Sequence, residues 1–381
     1  MGRKKRSFNI ATGENTMDQY QPSNYSNNAM NEDAHYQKAQ DILDHYSRTN
    51  GEAYSHKKAK KRGSKGMVAV AVVLVLLIAI GIGGFNAFMF VNTVDSDLSG
   101  DYTEEEKMAI QEKLVSASYD EPFYVLLVGS DSRSTDLSGS RSDTNILCRV
   151  DPTQDTVTMI SIPRDTMITI PGYGTCKFNA AYAYGGISGV IDAVYNLTGI
   201  QISHYAEISF TGVVDLVDAM GGVEVDVPLD IDDDDAWGSI SAGTQTLDGE
   251  HALIFARSRQ YVDGDFTRTS NQRTLVTALV KKVLNLPVSD IPDVIQRCAK
   301  CVSTDMSVYD IYSLAVQFQN LGELTVYSAM IPSTTDYIDG VSYVICDTTT
   351  TAAMMEIVEA GGDPNTVENN NGSLIGSSVI E

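Results

Sequence analysis

Zinc-ligand spacing, internal repeats and any excess of positive charge beyond residue 91 are all missing from this sequence. Its five cysteines include one C-x-x-C, Cys298 with Cys301. No second pair and no histidine pair stands at the spacing a zinc site needs, and the flanking pattern is helical rather than a βαβ redox unit. Buried thiols or a structural disulfide among Cys148, Cys176, Cys298, Cys301 and Cys346 are therefore the expectation, in place of a metal or redox centre. Cations are scarce: 27 Lys and Arg stand against 50 Asp and Glu, a formal net charge of −23. Twelve of those cations fall in residues 1–66, which leaves 15 against 43 acids in residues 92–381. So acidic a segment excludes general nucleic-acid binding, and the first 66 residues carry no helix-turn-helix pattern.

What is present begins with a long apolar run. Met67 to Val91 carries no ionisable group, and at about 1.5 Å per residue it can cross a hydrocarbon core of roughly 30 Å. A cleaved signal peptide has a shorter apolar core after a short basic start, so the run reads as an uncleaved transmembrane helix. Lys57, Lys58, Lys60, Lys61, Arg62 and Lys65 precede it, whereas Lys107 is the first cation after it. The positive-inside rule then puts the N-terminus in the cytoplasm and the acidic remainder outside the cell. The expected organisation is a disordered tail over 1–66, the span over 67–91, a juxtamembrane spacer or helix over 92–120, a folded domain over 121–362 and a disordered tail over 363–381. Thr103 with Glu106 makes a capping box for a helix reaching about Ser116.

From Phe123 onward, short apolar runs alternate with helical patterns. FYVLLVGSD, TNILCRV, TVTMISIP, TMITIP, YAEISF, VEVDV, TVYSAMIP and VSYVICD read as strands. Helices are expected near Ser188–Leu197, near Val213–Ala219 and from about Thr269, with apolar positions at Leu275, Leu279, Val283 and Leu286, followed by two shorter ones. The order of elements, with a hairpin-like turn at Val150-Asp151-Pro152, predicts a layered α/β/α domain around a central mixed sheet.

Seven of the nine arginines beyond the span, Arg133, Arg141, Arg164, Arg257, Arg259, Arg268 and Arg273, sit in polar clusters at the ends of apolar runs. Planar guanidinium groups hold phosphate bidentately, so a cationic pocket inside an anionic shell points to an anionic substrate group. Surface salt bridges to the many carboxylates are the other reading of that placement. Asp131 and Asp143 each stand beside an arginine at a strand end, where one or two carboxylates and substrate phosphates are the usual Mg²⁺ donors; ordinary turn and cap chemistry is the alternative. Lys177 can contact phosphate or pair with an acid. Arg268 and Gln272, four apart at the start of the long helix, share a face near its positive end. The acidic stretch Asp230 to Asp235 lacks the glycine and glutamate of a calcium loop and reads as a solvated surface loop.

Taken in order, GSDSR, RSDT, VTMISIPRDT, IPGYG, KFNAAYAYGG, VDLVDAMGGVEV, LDGEHALIFARSR and GDFTR, spread from Phe123 to about Leu286, resemble the LytR-CpsA-Psr family of cell-envelope proteins. The resemblance implies a membrane-anchored, Mg²⁺-dependent (or Mn²⁺-dependent) phosphotransferase in a Gram-positive-type envelope. It moves an anionic glycopolymer of teichoic-acid or capsule type from a polyprenyl-pyrophosphate carrier to peptidoglycan. Carried over, Asp131 and Asp143 hold the metal; Arg133, Arg141, Arg164, Lys177, Arg257, Arg259, Arg268 and Gln272 grip the pyrophosphate; Asp131, Asp143, Arg257 and Asp265 form the catalytic set, with Asp265 a candidate base. The chain departs from the family at Asn271, where a basic residue is common, so that a phosphate contact is lost or comes from Arg273. Hydrolysis of the lipid-linked glycan and a non-catalytic lipid-binding or regulatory role are the competing functions.

Overall fold

The computed structural model describes residues 84–131, 140–261, 265–285, 296–319 and 324–367. In chain order these form α1 (Gly84–Leu98), α2 (Glu104–Gln111), β1 (Phe123–Ser130), β2 (Ser142–Asp151), β3 (Thr156–Ser161), β4 (Met167–Ile170), β5 (Gly174–Lys177), α3 (Ala180–Thr198), β6 (His204–Ser209), α4 (Phe210–Ala219) and β7 (Val223–Val227). There follow β8 (Ile231–Asp233), β9 (Gly238–Ile240), β10 (Gly243–Leu247), α5 (Gly249–Arg257), α6 (Asp265–Leu284), β11 (Val302–Thr304), α7 (Val308–Gln319), β12 (Thr325–Met330), β13 (Ser333–Ile338), β14 (Val341–Cys346) and α8 (Thr348–Glu359).

Six strands make one mixed sheet in the order β11-β6-β1-β2-β3-β12. β1 pairs with β6 in parallel and with β2 antiparallel; β2 pairs with β3 antiparallel, and β3 with β12 in parallel. β1, β3, β6 and β12 therefore all point one way, and their carboxyl ends share one edge, the usual place for a ligand in a layered α/β fold. Every residue of β1 and β3 is buried, as strands covered on both faces must be. Val125, Leu127, Ile146 and Met159 turn to one face, against Leu216 and Val217 of α4, Leu275 and Leu279 of α6 and Ile311 of α7. Leu126, Val128, Leu147 and Ile160 turn to the other, against Val190 and Val194 of α3 and Met354 and Val358 of α8. The expected α/β/α layering with a mixed sheet is thus the observed one.

The capping box forms: the Thr103 hydroxyl accepts from the Glu106 N–H, and Glu106 accepts from the Thr103 N–H. Val94 and Leu98 of α1 are buried in the first core, and the Val115 N–H donates to the Ile202 carbonyl. The span expected over 67–91 lies outside the described residues up to residue 83, and its last residues enter α1. Among the described residues no helix is long and apolar enough to cross a membrane. All five cysteines are free, so the structural-disulfide alternative is not realised; burial pushes the thiols of Cys148 and Cys298 up to about 12, which makes them unreactive.

α6 starts at Asp265 rather than near Thr269, so Asp265 and Arg268 belong to its first turn. The apolar period of the sequence could not reveal a first turn made of polar, site-facing residues. On another side of α6, Arg273 is buried: Nε donates to Ser328 Oγ and Nη1 to Ser161 Oγ, both at 2.6 Å, and Nη1 also to the Thr269 carbonyl. Burial lowers its pKa to about 10. Arg273 is therefore a core residue and takes no part in lining the site cavity described below. Arg273→Ala should cost about 3 kcal/mol in chemical denaturation, from the void and two stranded hydroxyls.

Candidate active site

The site begins with what each element does at the shared sheet edge. β2 opens on Ser142 and Asp143, β3 exits into Ile162-Pro163-Arg164, α5 ends at Arg257, and α6 starts at Asp265. These ends converge on a cavity of about 300 Å³. Asp143, Arg164, Arg257, Arg259, Arg268 and Gln272 line its polar part, while Leu127, Val213, Leu216, Leu253, Val276 and Leu279 line an apolar interior between sheet and helices. The cavity thus joins an arginine-bearing mouth, which also carries carboxylates from Asp143, Glu207, Asp233 and Asp235, to a greasy pocket.

At the mouth, Arg164 Nη1 bonds Asp143 Oδ1 at 2.5 Å. Burial disfavours the charge of Arg164, but Asp143 outweighs it and raises the pKa. Arg268, 3% exposed, lies with Nη2 2.5 Å from Asp265 Oδ1, a contact of charges without hydrogen-bond alignment, and Arg259 Nε lies 3.7 Å from the same oxygen. Burial raises the Asp265 pKa and lowers that of Arg268, each opposed by the other's charge. Arg164 Nε and Arg268 Nε are buried donors with no acceptor among the described residues, and both Asp265 oxygens are buried without an aligned donor. Such groups cost about 1–3 kcal/mol each, more when charged, unless a guest satisfies them.

Arg257 is held by stacking. Its guanidinium carbon lies 3.6 Å from the Trp237 ring centroid and 4.9 Å from that of Phe210. Trp237, the single tryptophan of the chain, is 53% exposed and takes a left-handed backbone at φ 75°, the kind of local strain that gathers at binding sites. The buried carboxylate of Asp233 braces the segment after Arg257: Oδ2 accepts from Ser258 Oγ at 3.0 Å and from the Arg259 N–H at 2.9 Å, while Oδ1 accepts from the N–H groups of Asp235 and Ala236. The stretch 230–235 is therefore not a wholly solvated loop: Ile231–Asp233 form β8 paired with β9, Ile231 and Asp233 are buried, and Asp233 fixes the arginine-bearing turn. Neither Trp237 nor Asp233 was visible from the sequence as a site residue. A lone tryptophan beside a run of acids was the only signal.

The other candidates fall differently. Asp131 accepts the Arg141 N–H on Oδ1 at 2.6 Å, closing the neck of the loop between β1 and β2. Arg141 is exposed, and Arg133 lies outside the described residues. Lys177 Nζ pairs with Asp165 Oδ1 at 3.0 Å, one residue past Arg164, and does not line the cavity. Gln272 shares its face with Arg268 as its spacing required, and its Nε2 donates to the Ala256 carbonyl at 3.2 Å. Asn271 turns inward to the Phe255 carbonyl and the Tyr261 hydroxyl, so neither it nor Arg273 adds a cation to the mouth.

A three-layer domain with an arginine-rimmed apolar cavity at the carboxyl ends of its parallel strands is the class that fold and site define. The chain belongs to the LytR_cpsA_psr family, whose model matches residues 87–360. It is 36% identical over 255 residues, 65% of this chain and 82% of the relative, to the polyisoprenyl-teichoic acid–peptidoglycan teichoic acid transferase TagU of Enterococcus faecalis. The crystal structure of B. subtilis TagV matches with a TM-score of 0.58 at 28% identity, over 63% of this chain and 97% of that one. A structure of TagT bound to LIIa-WTA matches with a TM-score of 0.54 at 27% identity, over 65% and 94%.

Proposed function

We propose that the protein transfers an anionic glycopolymer of teichoic-acid type from a polyprenyl-pyrophosphate carrier to peptidoglycan. The observation that carries this reading is the pair of buried, unmatched donors, Arg164 Nε and Arg268 Nε, at the mouth of an apolar cavity: an anionic head joined to an apolar tail fits both halves at once. The relatives named as teichoic acid transferases supply the identity of the polymer and of the acceptor.

In this reading Arg164, Arg257, Arg259 and Arg268 hold the pyrophosphate, with Gln272 beside them, and the prenyl chain enters between α4, α5 and α6. A sugar hydroxyl of peptidoglycan attacks the phosphorus that carries the glycan. The new P–O bond forms as the bond to the bridging oxygen breaks, polyprenyl phosphate departs, and the hydroxyl proton passes to Asp265, whose raised pKa suits an acceptor. Phosphoryl transfer asks mainly for positioning and charge neutralisation, which fixed arginines supply.

Mg²⁺ (or Mn²⁺) fits the donor chemistry. Asp131 and Asp143 offer hard carboxylate oxygens, and the buried Asp265 oxygens near Asp143 have no aligned hydrogen-bond donor. Among the described residues no group of three or more acids, histidines or cysteines forms a cage, so substrate oxygens would complete the shell. When bound, the ion neutralises charge on the phosphates. The cluster of Lys and Arg before residue 66 supports a cytoplasmic N-terminal tail and a domain on the outer face of the membrane.

The test is to incubate the full chain with a lipid-pyrophosphate oligosaccharide, Mg²⁺ and peptidoglycan fragments, with Asp131→Ala alongside, and to identify products by mass spectrometry. A glycan-phosphate-peptidoglycan adduct with polyprenyl monophosphate, absent in the variant, is expected. Free glycan phosphate alone would make the protein a hydrolase, and intact bound lipid a binding module.

A further inference from the structure

A second cavity, of about 560 Å³, lies on the opposite face of the sheet, between the β4–β5 hairpin and α3. Two of its lining residues, Tyr173 and Tyr184, stack with ring centroids 3.9 Å apart and planes 19° apart. They do so in the open, 58% and 49% exposed. An aromatic pair outside the core gains little from its own burial, yet the backbone is shaped to present it. Gly172 and Gly174 flank Tyr173 at φ +83° and +81°, where a Cβ would meet nothing within 4 Å, so these glycines serve the bend and not packing. Two residues past Tyr184, Gly186 breaks the helix at φ 55°, ψ −146°. Fixed backbone that holds exposed rings over a cleft is the signature of a recognition surface.

The chemistry of the lining narrows the guest. Beside the tyrosines stand the side chains of Thr169, Asp192 and Asn196, and no lysine or arginine lines the cavity. Asp192 already pairs with Lys113 at 2.9 Å. A polyanion therefore finds no cation here, in contrast to the arginine mouth. A pyranose ring presents an apolar C–H face to an aromatic ring, and its equatorial hydroxyl and acetamido groups suit a threonine, an asparagine and a carboxylate. β4 begins three residues after Arg164, so a chain lying along the hairpin leads toward the arginine cluster from the side away from the lipid cavity.

We infer that this cleft binds an uncharged glycan of N-acetylhexosamines and serves as the acceptor subsite, an assignment that rests on the transferase reading. Chitotetraose is the probe. Titrated into the full chain by calorimetry and saturation-transfer NMR, it should bind with a Kd of about 1 mM, weakened about tenfold or more in Tyr173→Ala and Tyr184→Ala, while circular dichroism stays unchanged. In the transfer assay Tyr173→Ala should raise the KM for acceptor about tenfold and leave kcat and the donor KM unchanged. No binding to the wild type, or equal binding by the variants, overturns the inference. Transfer that proceeds with an unaltered acceptor KM in Tyr173→Ala also overturns it and leaves the transferase reading standing. Tyrosine-dependent binding without any transfer would remove that reading and keep the cleft as a glycan site.

Discussion

Arg257→Ala is expected to lower kcat/KM for transfer by about a thousandfold, the range seen when one fixed donor to a developing charge is removed. The fold should survive. Arg257 sits at the C-terminal end of α5, half-buried, and its guanidinium stacks on Trp237 and Phe210. Stacking uses the face of the guanidinium and phosphate binding its edge, so the rings set the plane in which the N–H groups act. Lysine keeps the charge and loses both the plane and the paired donors, and Arg257→Lys should recover no more than about tenfold of the loss. Because Trp237 is the single tryptophan, its fluorescence reports directly on the contact. Pyrophosphate should perturb the emission of the wild type and leave that of Arg257→Ala unmoved. Transfer within about threefold of wild type in Arg257→Ala would remove this arginine from the machinery.

The sheet was legible because its strands are buried on both faces: FYVLLV is a continuous apolar run, and TVTMIS is an uncharged run of β-branched, apolar and small hydroxyl residues, as covered strands require. β5, β8, β9 and β11 were not legible. Each is three or four residues long, half of them polar, and a strand so short is specified by the neighbour it pairs with. The start of α6 was missed for a related reason. Arg268 and Gln272 line the cavity and Asp265 sits against Arg268, so that turn shows neither an apolar stripe nor a solvent-facing one.

In the site, residue type was legible and partnership was not. Arg164 and Arg273 give the same signal in sequence, each an arginine in a polar cluster at the end of an apolar run. One ends in the cavity against Asp143; the other is plugged between Ser161 and Ser328. Which of the two happens depends on whether the side chain turns toward the sheet edge or under it, and that is decided by partners from 21 to 112 residues away in sequence. Asp233 makes the same point from the other sign of charge: it is one of five acids between Asp230 and Asp235, and only this one, which meets Ser258 and Arg259, is buried.

Val276→Trp should separate the apolar cavity from the fold. Val276 lines the pocket from α6 and is half-buried, so an indole there enters space that the cavity of about 300 Å³ leaves open. Filling a void adds dispersion contacts without displacing a packed neighbour, and the melting temperature should hold or rise. Transfer should not hold. A prenyl chain moving from bilayer to cavity exchanges one apolar setting for another and gains little free energy; what the cavity contributes is the position of the pyrophosphate beneath the arginines. A head group displaced by about 1 Å can lose about a hundredfold in rate, and the loss of kcat/KM for a long-chain donor should be at least that. Binding of free pyrophosphate, measured by calorimetry, should be unchanged, because the arginine mouth is untouched. A stable Val276→Trp protein that turns over the long-chain donor at the wild-type rate would mean that the lipid never enters this cavity.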